Sequence, residues 1–299
     1  MLLAGCAPGL QETRTGSPAS LQRVELAAVP FVPQEDQQCG PASLAMVLQA
    51  AGRNVTVAEL SPQVYLPGRE GSLQVEMLAA TRRQGLVAYP LEGGMEALYA
   101  EIAAGNPVVV LQNLSLPWFP VWHYAVVLGY DRGLGQMVLH SGTTPRMVMD
   151  TGVFVRTWQR SEKWAMLALP PGRLPATATA ERYLRAVIAL EKTGQTLPAR
   201  RAYSAAASAW PDSLVAWMGL GNTSYALKDL QQAERAFREA IARHPQSAEA
   251  FNNLAQILAD EGRYAEAVAA ARRAVNLGGP NTDVARGTLE SIIAKSRDQ

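Results

Sequence analysis

The chain has 299 residues, 48% hydrophobic and 18% charged, which excludes a disordered polymer and leaves length for a large core or two domains. A formal net charge of +1 provides no field to draw nucleic acid or an anionic membrane surface. No apolar run reaches bilayer-spanning length.

The first element is "LLAGC" at residues 2–6, which has the form of a bacterial lipobox. Small Ala4 and Gly5 suit the signal-peptidase cleft, and Cys6 would carry the diacyl lipid. A polar tether, "PGLQETRTGSPAS", follows, so residues 1–26 read as lipobox and tether. A positive region and an apolar region should precede such a motif, and Met1 is therefore read as an internal start or the edge of a trimmed N-terminus. The expected location is the periplasmic side of a bacterial cell envelope, held to the outer membrane only by the lipid. A lipidated Cys6 cannot pair with Cys39, so the 2 cysteines count as one anchor and one free thiol.

Residues 27–170 show no repeat. Apolar helices are predicted near 40–51, 72–84 and 95–104. The β-like runs "PVVVLQN", "HYAVVLGY", "QMVLHSG" and "KWAMLAL" come after them. Helices first and strands later read as an α+β domain. The stretch "LPPGRLPATATA" is rich in Pro, Ala and Thr, and a linker is placed at 171–180.

From 181 to 299 the pattern changes to a repeat. Tyr183, Trp217 and Phe251 recur at a 34-residue period, and the positions around them fall into the tetratricopeptide pattern. The middle copy is the fullest, with Trp217, Leu220, Gly221, Ala233, Phe237, Ala240 and Pro245. Three helix pairs and a capping helix at 282–297 are predicted, an all-α solenoid whose concave face would receive a protein partner.

The chemistry centres on "QEDQQCGPASLAMVL" at 34–48. Pro41 suits a first helical turn, so Cys39 would open a helix, where the dipole and free N–H groups favour a thiolate. A nucleophilic thiol needs a base, and the chain has 3 histidines. His244 ends a repeat helix and reads as a solvated terminal residue. His140 and His123 lie among the strands, with His123 opening "HYAVVLGYD". A helix-borne cysteine followed by a strand-borne histidine is the papain-like order. The plainer readings are a buried small thiol and a core histidine.

"VPFVPQEDQQCGPASLAMVLQAAG", "GNPVVVLQN" and "HYAVVLGYD" together resemble the C39-type cysteine peptidases, over roughly residues 28–168. The resemblance implies an α+β papain-like fold, Cys39 as nucleophile and His123 as base. It implies a glutamine just upstream of Cys39 as oxyanion donor: Gln34, with Gln38 and Gln37 as rivals because the spacing is one residue short. The family's Asp or Asn that orients the histidine is absent. Ser141 stands in its place, within "LHSGTT". Asp131 lies eight strand residues from His123, about 26 Å away, too far to serve. A hairpin turning near Gly133 would instead set Ser141 and Thr143 on the His123 face and His140 on the other. A hydroxyl can fix an imidazole tautomer but stabilises imidazolium less than a carboxylate.

Two functions are weighed. One is an exported, lipid-anchored thiol peptidase that cuts a peptide or protein, with the repeats recruiting substrate or partner. The other is a catalytically degenerate domain used for binding and assembly. No metal or cofactor is expected, because the cysteines and histidines have no ligand spacing.

Overall fold

Residues Val108–Asn113 are buried on both sides of their strand, which is why this run is apolar without alternation. They lie at the centre of the N-terminal domain in the computed structural model, which describes residues 22–34 and 38–297. The lipobox with Cys6, the tether and Gln37 fall outside the described residues.

The described chain begins with strand β1 (Arg23–Glu25), then helices α1 (Cys39–Ala50) and α2 (Val57–Val64). A small hairpin, β2 (Tyr65–Leu66) with β3 (Gly71–Ser72), leads to α3 (Gln74–Arg83), β4 (Val87–Pro90) and α4 (Gly94–Ala103). Strands β5 (Val108–Asn113), β6 (Trp122–Asp131), β7 (Gln136–Ser141) and β8 (Thr144–Asp150) follow, then α5 (Thr151–Gln159) and β9 (Ala165–Leu169). Seven strands form one antiparallel sheet in the order β4-β9-β5-β6-β7-β8, with β1 paired to the far end of β6.

Alternation along β6 separates two cores. Tyr124, Val126 and Leu128 pack against Leu44, Val47 and Leu48 of α1 and Met77 of α3. Ala125 and Val127 face the opposite core, with Leu98 of α4 and Trp158 of α5. The α+β class and the predicted strands at β5, β6, β7 and β9 are present. The expected order of helices before strands needs correcting: β1 and β4 come early, and α5 separates β8 from β9. Helix α2 was also unpredicted, although it opens on a capping box, in which Thr56 and Glu59 satisfy each other's backbone N–H groups.

The segment at 171–180 is fastened to the first domain. Glu101, fully buried on α4, accepts hydrogen bonds from Asn106 Nδ2 (2.7 Å), Thr177 N (2.8 Å), Thr177 Oγ1 (2.6 Å) and Ala176 N (3.2 Å). Tyr183 then donates its hydroxyl to the Pro171 carbonyl (3.1 Å), and its ring joins the core that holds Trp158 and Leu167. The repeats are therefore seated on the sheet domain.

The helix pairs are α6 (Ala180–Glu191) with α7 (Thr196–Ala209), α8 (Leu214–Ala226) with α9 (Leu230–Arg243), and α10 (Ala248–Asp260) with α11 (Tyr264–Leu277). Helix α12 (Thr282–Arg297) packs on α10 and α11. Glycines set the closest approaches. A Cβ on Gly221 would lie 2.5 Å from the Phe237 ring, and one on Gly219 would collide with the Tyr203 ring.

Strand β7 also fixes the chain on its way to α1. His140, opposite Val126 and buried, accepts the Arg146 N–H at Nδ1 (3.1 Å). Its Nε2 therefore carries the hydrogen and donates to the Val29 carbonyl (3.2 Å). Burial first, and then the Arg146 guanidinium, hold its pKa below the ordinary histidine value; the Val29 carbonyl and Glu25 act in the opposite sense.

Two outcomes follow from this packing. Gly219→Ala and Gly221→Ala should each lose about 1–3 kcal/mol from overpacking in urea unfolding, despite a helix-propensity gain of about 1 kcal/mol. Gly287→Ala on α12, where nothing lies within 4 Å of an added Cβ, should hold or gain stability. The second outcome concerns pH. The unfolded His140 takes a proton near pH 6.5, whereas the folded, neutral ring refuses it until lower pH. Stability is thus full above about 6.5, falls as pH drops through that value, and levels below the folded pKa. The urea midpoint should decline between about pH 7.5 and 5.5, and His140→Gln should make that decline shallower.

Candidate active site

Cys39 is the first residue of α1, and Gln38 occupies the N-cap without a side-chain capping bond. Pro41 lies in the first turn, where its missing N–H leaves no gap in the ladder. Gly40 is required by a close approach: a Cβ there would collide with the Ser72 side chain on β3. Tyr124 donates its hydroxyl to the Ser72 carbonyl (3.1 Å), which ties that wall to β6. The resulting cleft, about 1060 Å³, is lined by Gln34, Cys39, Ser72, His123, Tyr124 and Gly142, among others.

His123 enters this cleft from the second residue of β6. The β6–β7 hairpin turns after Asp131, paired with Gln136, and carries Ser141 back towards His123. Ser141 Oγ lies 2.8 Å from His123 Nε2. Asp131 is at the opposite end of β6, beside Arg23 (3.9 Å). In the tautomer that donates Nε2–H to Ser141, Nδ1 is the basic nitrogen; in the other, Nε2 accepts the Ser141 hydroxyl. Among the described residues no hydrogen bond joins the His123 ring to the Cys39 thiol. His244 is in the repeat stack, with Nε2 2.9 Å from the Asp212 carbonyl.

Gln34 is buried and connects three elements. Its Nε2 donates to Ser43 Oγ on α1 (3.0 Å) and to the Tyr124 carbonyl on β6 (3.3 Å). Its Oε1 accepts the Gly142 N–H (2.9 Å), one residue past Ser141. Both amide hydrogens are thus engaged, and one would have to be released to reach an oxyanion. Of its rivals, Gln38 is partly buried at the N-cap and Gln37 lies outside the described residues.

Burial dominates the electrostatics. It pushes the Cys39 thiol above its ordinary value, although the backbone of Tyr124, Gly40 and Cys39 itself hydrogen-bonds the sulfur and pulls the other way. The helix start therefore does not by itself produce a thiolate. This corrects the expectation drawn from the helix dipole, because desolvation of the anion is the larger effect. Burial likewise holds His123 below the ordinary histidine range. Burial therefore favours the neutral thiol and the neutral imidazole over the ion pair.

Sequence reasoning missed Ser72 and Tyr124. Ser72 Oγ is buried with no protein partner among the described residues. Nothing local marks Ser72, since a two-residue strand brings it to Gly40 from far along the chain. Tyr124 could have been found, because a residue next to a strand histidine alternates to the face that α1 covers.

Residues 26–166 match the Peptidase_C39 like family, and residues 184–234 and 225–282 match the tetratricopeptide repeat. Among solved structures, the chain is similar to a C39-like peptidase from Bacillus anthracis, at 20% identity and a TM-score of 0.42. That match covers 49% of this chain and 97% of the other. The Yersinia enterocolitica type III secretion chaperone SycD, in complex with a peptide of the translocator YopD, matches at 18% identity and a TM-score of 0.37, covering 38% of this chain and 92% of the other. The Arabidopsis OM64 TPR domain matches at 22% identity and a TM-score of 0.34, covering 38% and 94%. No curated protein matches the chain. A sheet domain that matches the peptidase C39-like family at 26–166 is thus followed in the same chain by tetratricopeptide repeats.

Proposed function

We propose that the protein is a thiol peptidase that cuts a polypeptide through a Cys39 acyl-enzyme. The observation that carries this reading is the shared cleft of Cys39 and His123, with Ser141 on the Nε2 side of the ring. In the proposed reaction, Nδ1 of His123 takes the thiol proton as Sγ attacks the substrate carbonyl. The C–S bond forms, the proton passes to the leaving amine, and the C–N bond breaks to leave a thioester. Water then attacks the thioester, giving its proton to His123. The C–S bond breaks, a carboxylic acid leaves, and the proton returns to sulfur. In this reading the Cys39 N–H stabilises the oxyanion, and Gln34 joins it only after giving up one present bond.

The repeats would recruit a protein partner or substrate on their concave face. Diacylation at Cys6 would keep both domains at a cell-envelope membrane, a reading supported by the "LLAGC" motif alone. A second reading, a degenerate domain that only binds, is favoured by the bias of burial towards a neutral pair and by the committed amide of Gln34.

Iodoacetamide labelling of folded protein separates the two readings. Cys39 should label at pH 7, and the rate should climb with pH past the ordinary thiol range because the thiol pKa is raised. His123→Ala should slow labelling at pH 7 by about tenfold and peptide hydrolysis by about a hundredfold or more. Ser141→Asp should move the labelling profile to lower pH, since a carboxylate stabilises the imidazolium that forms. A folded chain whose Cys39 does not label, or labels at the same rate after His123→Ala, as located by peptide mapping, excludes the acyl-enzyme reading. Gln34→Leu strands the Gly142 N–H and should cost about 1–3 kcal/mol in urea unfolding.

A further inference from the structure

The turn between β5 and β6 exposes the apolar side chains of a ten-residue stretch without a charge, "NLSLPWFPVW" at 113–122. Trp118 is 79% exposed and Phe119 73%, and Leu114, Leu116, Val121 and Trp122 are each about half exposed. The turn is not loose. Buried Asn113 accepts the N–H groups of Ser115 and Val121 (both 3.0 Å), and Phe119 N donates to the Leu116 carbonyl (3.1 Å). From below, Arg160 donates to the Ser115 carbonyl (2.6 Å) and, less closely, to that of Asn113 (3.3 Å). A prearranged apolar surface loses little conformational entropy when it is covered, which favours binding.

The base of this finger is continuous with the cleft, since Pro120, Val121 and Trp122 line it together with Cys39 and His123. At about 1060 Å³ the cleft stands at the upper limit of small-molecule pockets, about 1000 Å³, and has room for several residues of peptide. Its rim carries Arg69 and Arg160 against Glu70 and Glu162. That balance gives no positive collar for anionic lipid and suits an uncharged, apolar chain.

We infer that the 114–122 finger binds an apolar segment of the polypeptide substrate on the C-terminal side of the bond that is cut. The side follows from the chemistry and rests on the acyl-enzyme reading above. His123 must deliver its proton to the leaving amine, so the leaving half of the substrate lies against His123, and Trp122 adjoins it. Trp118, Phe119 and Trp122 are specificity residues in this reading, because they touch substrate without taking part in bond making.

The test uses the full chain in two arms. In the first, Cys39→Ala protein is titrated with fluorescein-labelled dodecapeptides of a Gly/Ser/Gln host, with or without a central Leu-Phe-Leu. The apolar peptide should bind about tenfold or more tighter, and Trp118→Ser, Phe119→Ser and Trp122→Ser should each remove most of that preference. Equal binding of both peptides, or a preference that survives all three substitutions, overturns the proposal. It is also overturned if the finger variants lose binding to vesicles of phosphatidylcholine and phosphatidylglycerol without any peptide preference, or if they alter only the mass of the free protein by light scattering. In the second arm, active chain is incubated with a peptide mixture, and the new N-terminal residues should be enriched in Leu, Ile, Phe and Trp. Cleavage with no such enrichment overturns the assigned side. No cleavage at all removes the peptidase reading and with it the assigned side, while the binding arm decides the apolar finger by itself.

Discussion

Burial of α1 against the Tyr124–Val126–Leu128 face of β6 is the contact on which the rest of the site depends. It brings the first residue of the helix and the second residue of the strand onto the lining of one cleft, so Cys39 and His123 both border the same space. Side-chain alternation makes this specific, because a one-residue slip of β6 would turn Tyr124 and Val126 out of the α1 core. Gln34 then locks the arrangement with hydrogen bonds to α1, to β6 and to the turn after β7.

The same burial sets the chemical state of the site. Partial burial raises the thiol and lowers the imidazole, so sharing one cleft does not by itself yield an ion pair. A carboxylate next to Nε2 would tip that balance towards imidazolium, whereas Ser141 supplies orientation with little charge stabilisation. The apolar finger beside this pair, held by Asn113 and Arg160, gives the cleft a recognition surface that is independent of charge.

Union of the two domains has a comparable cause. The fully buried Glu101 carboxylate needs several donors, and it finds them on the backbone and hydroxyl at 176–177. Tyr183, at the first repeat position of the 34-residue period, fills the core beneath the sheet as well as its own helix pair. A segment whose composition reads as a linker is thereby hydrogen-bonded to the sheet domain, and the repeats stack outward from it.

The period and the Gly/Ala positions were legible because each repeat's packing is local: Gly221 faces Phe237 within the same helix pair. Strands β5, β6, β7 and β9 were legible as short apolar runs bounded by turn residues. Strand β4 was not, being short with a partner, β9, remote in sequence, and neither was β8, whose side chains are largely exposed although its partner β7 is adjacent along the chain. Cys39, His123 and Ser141 could be nominated from residue type, spacing and hairpin register. Their protonation states could not, because desolvation depends on every group packed around them. Nor could the two engaged hydrogens of Gln34 or the approach of Ser72 to Gly40, which arise only when β3, β6 and β7 converge on the start of α1. The sequence by itself determined which groups can react and which helices repeat. Tertiary structure alone decided how dry those groups are and what they touch, since burial and hydrogen-bond partnership belong to the assembled sheet and helix rather than to any segment.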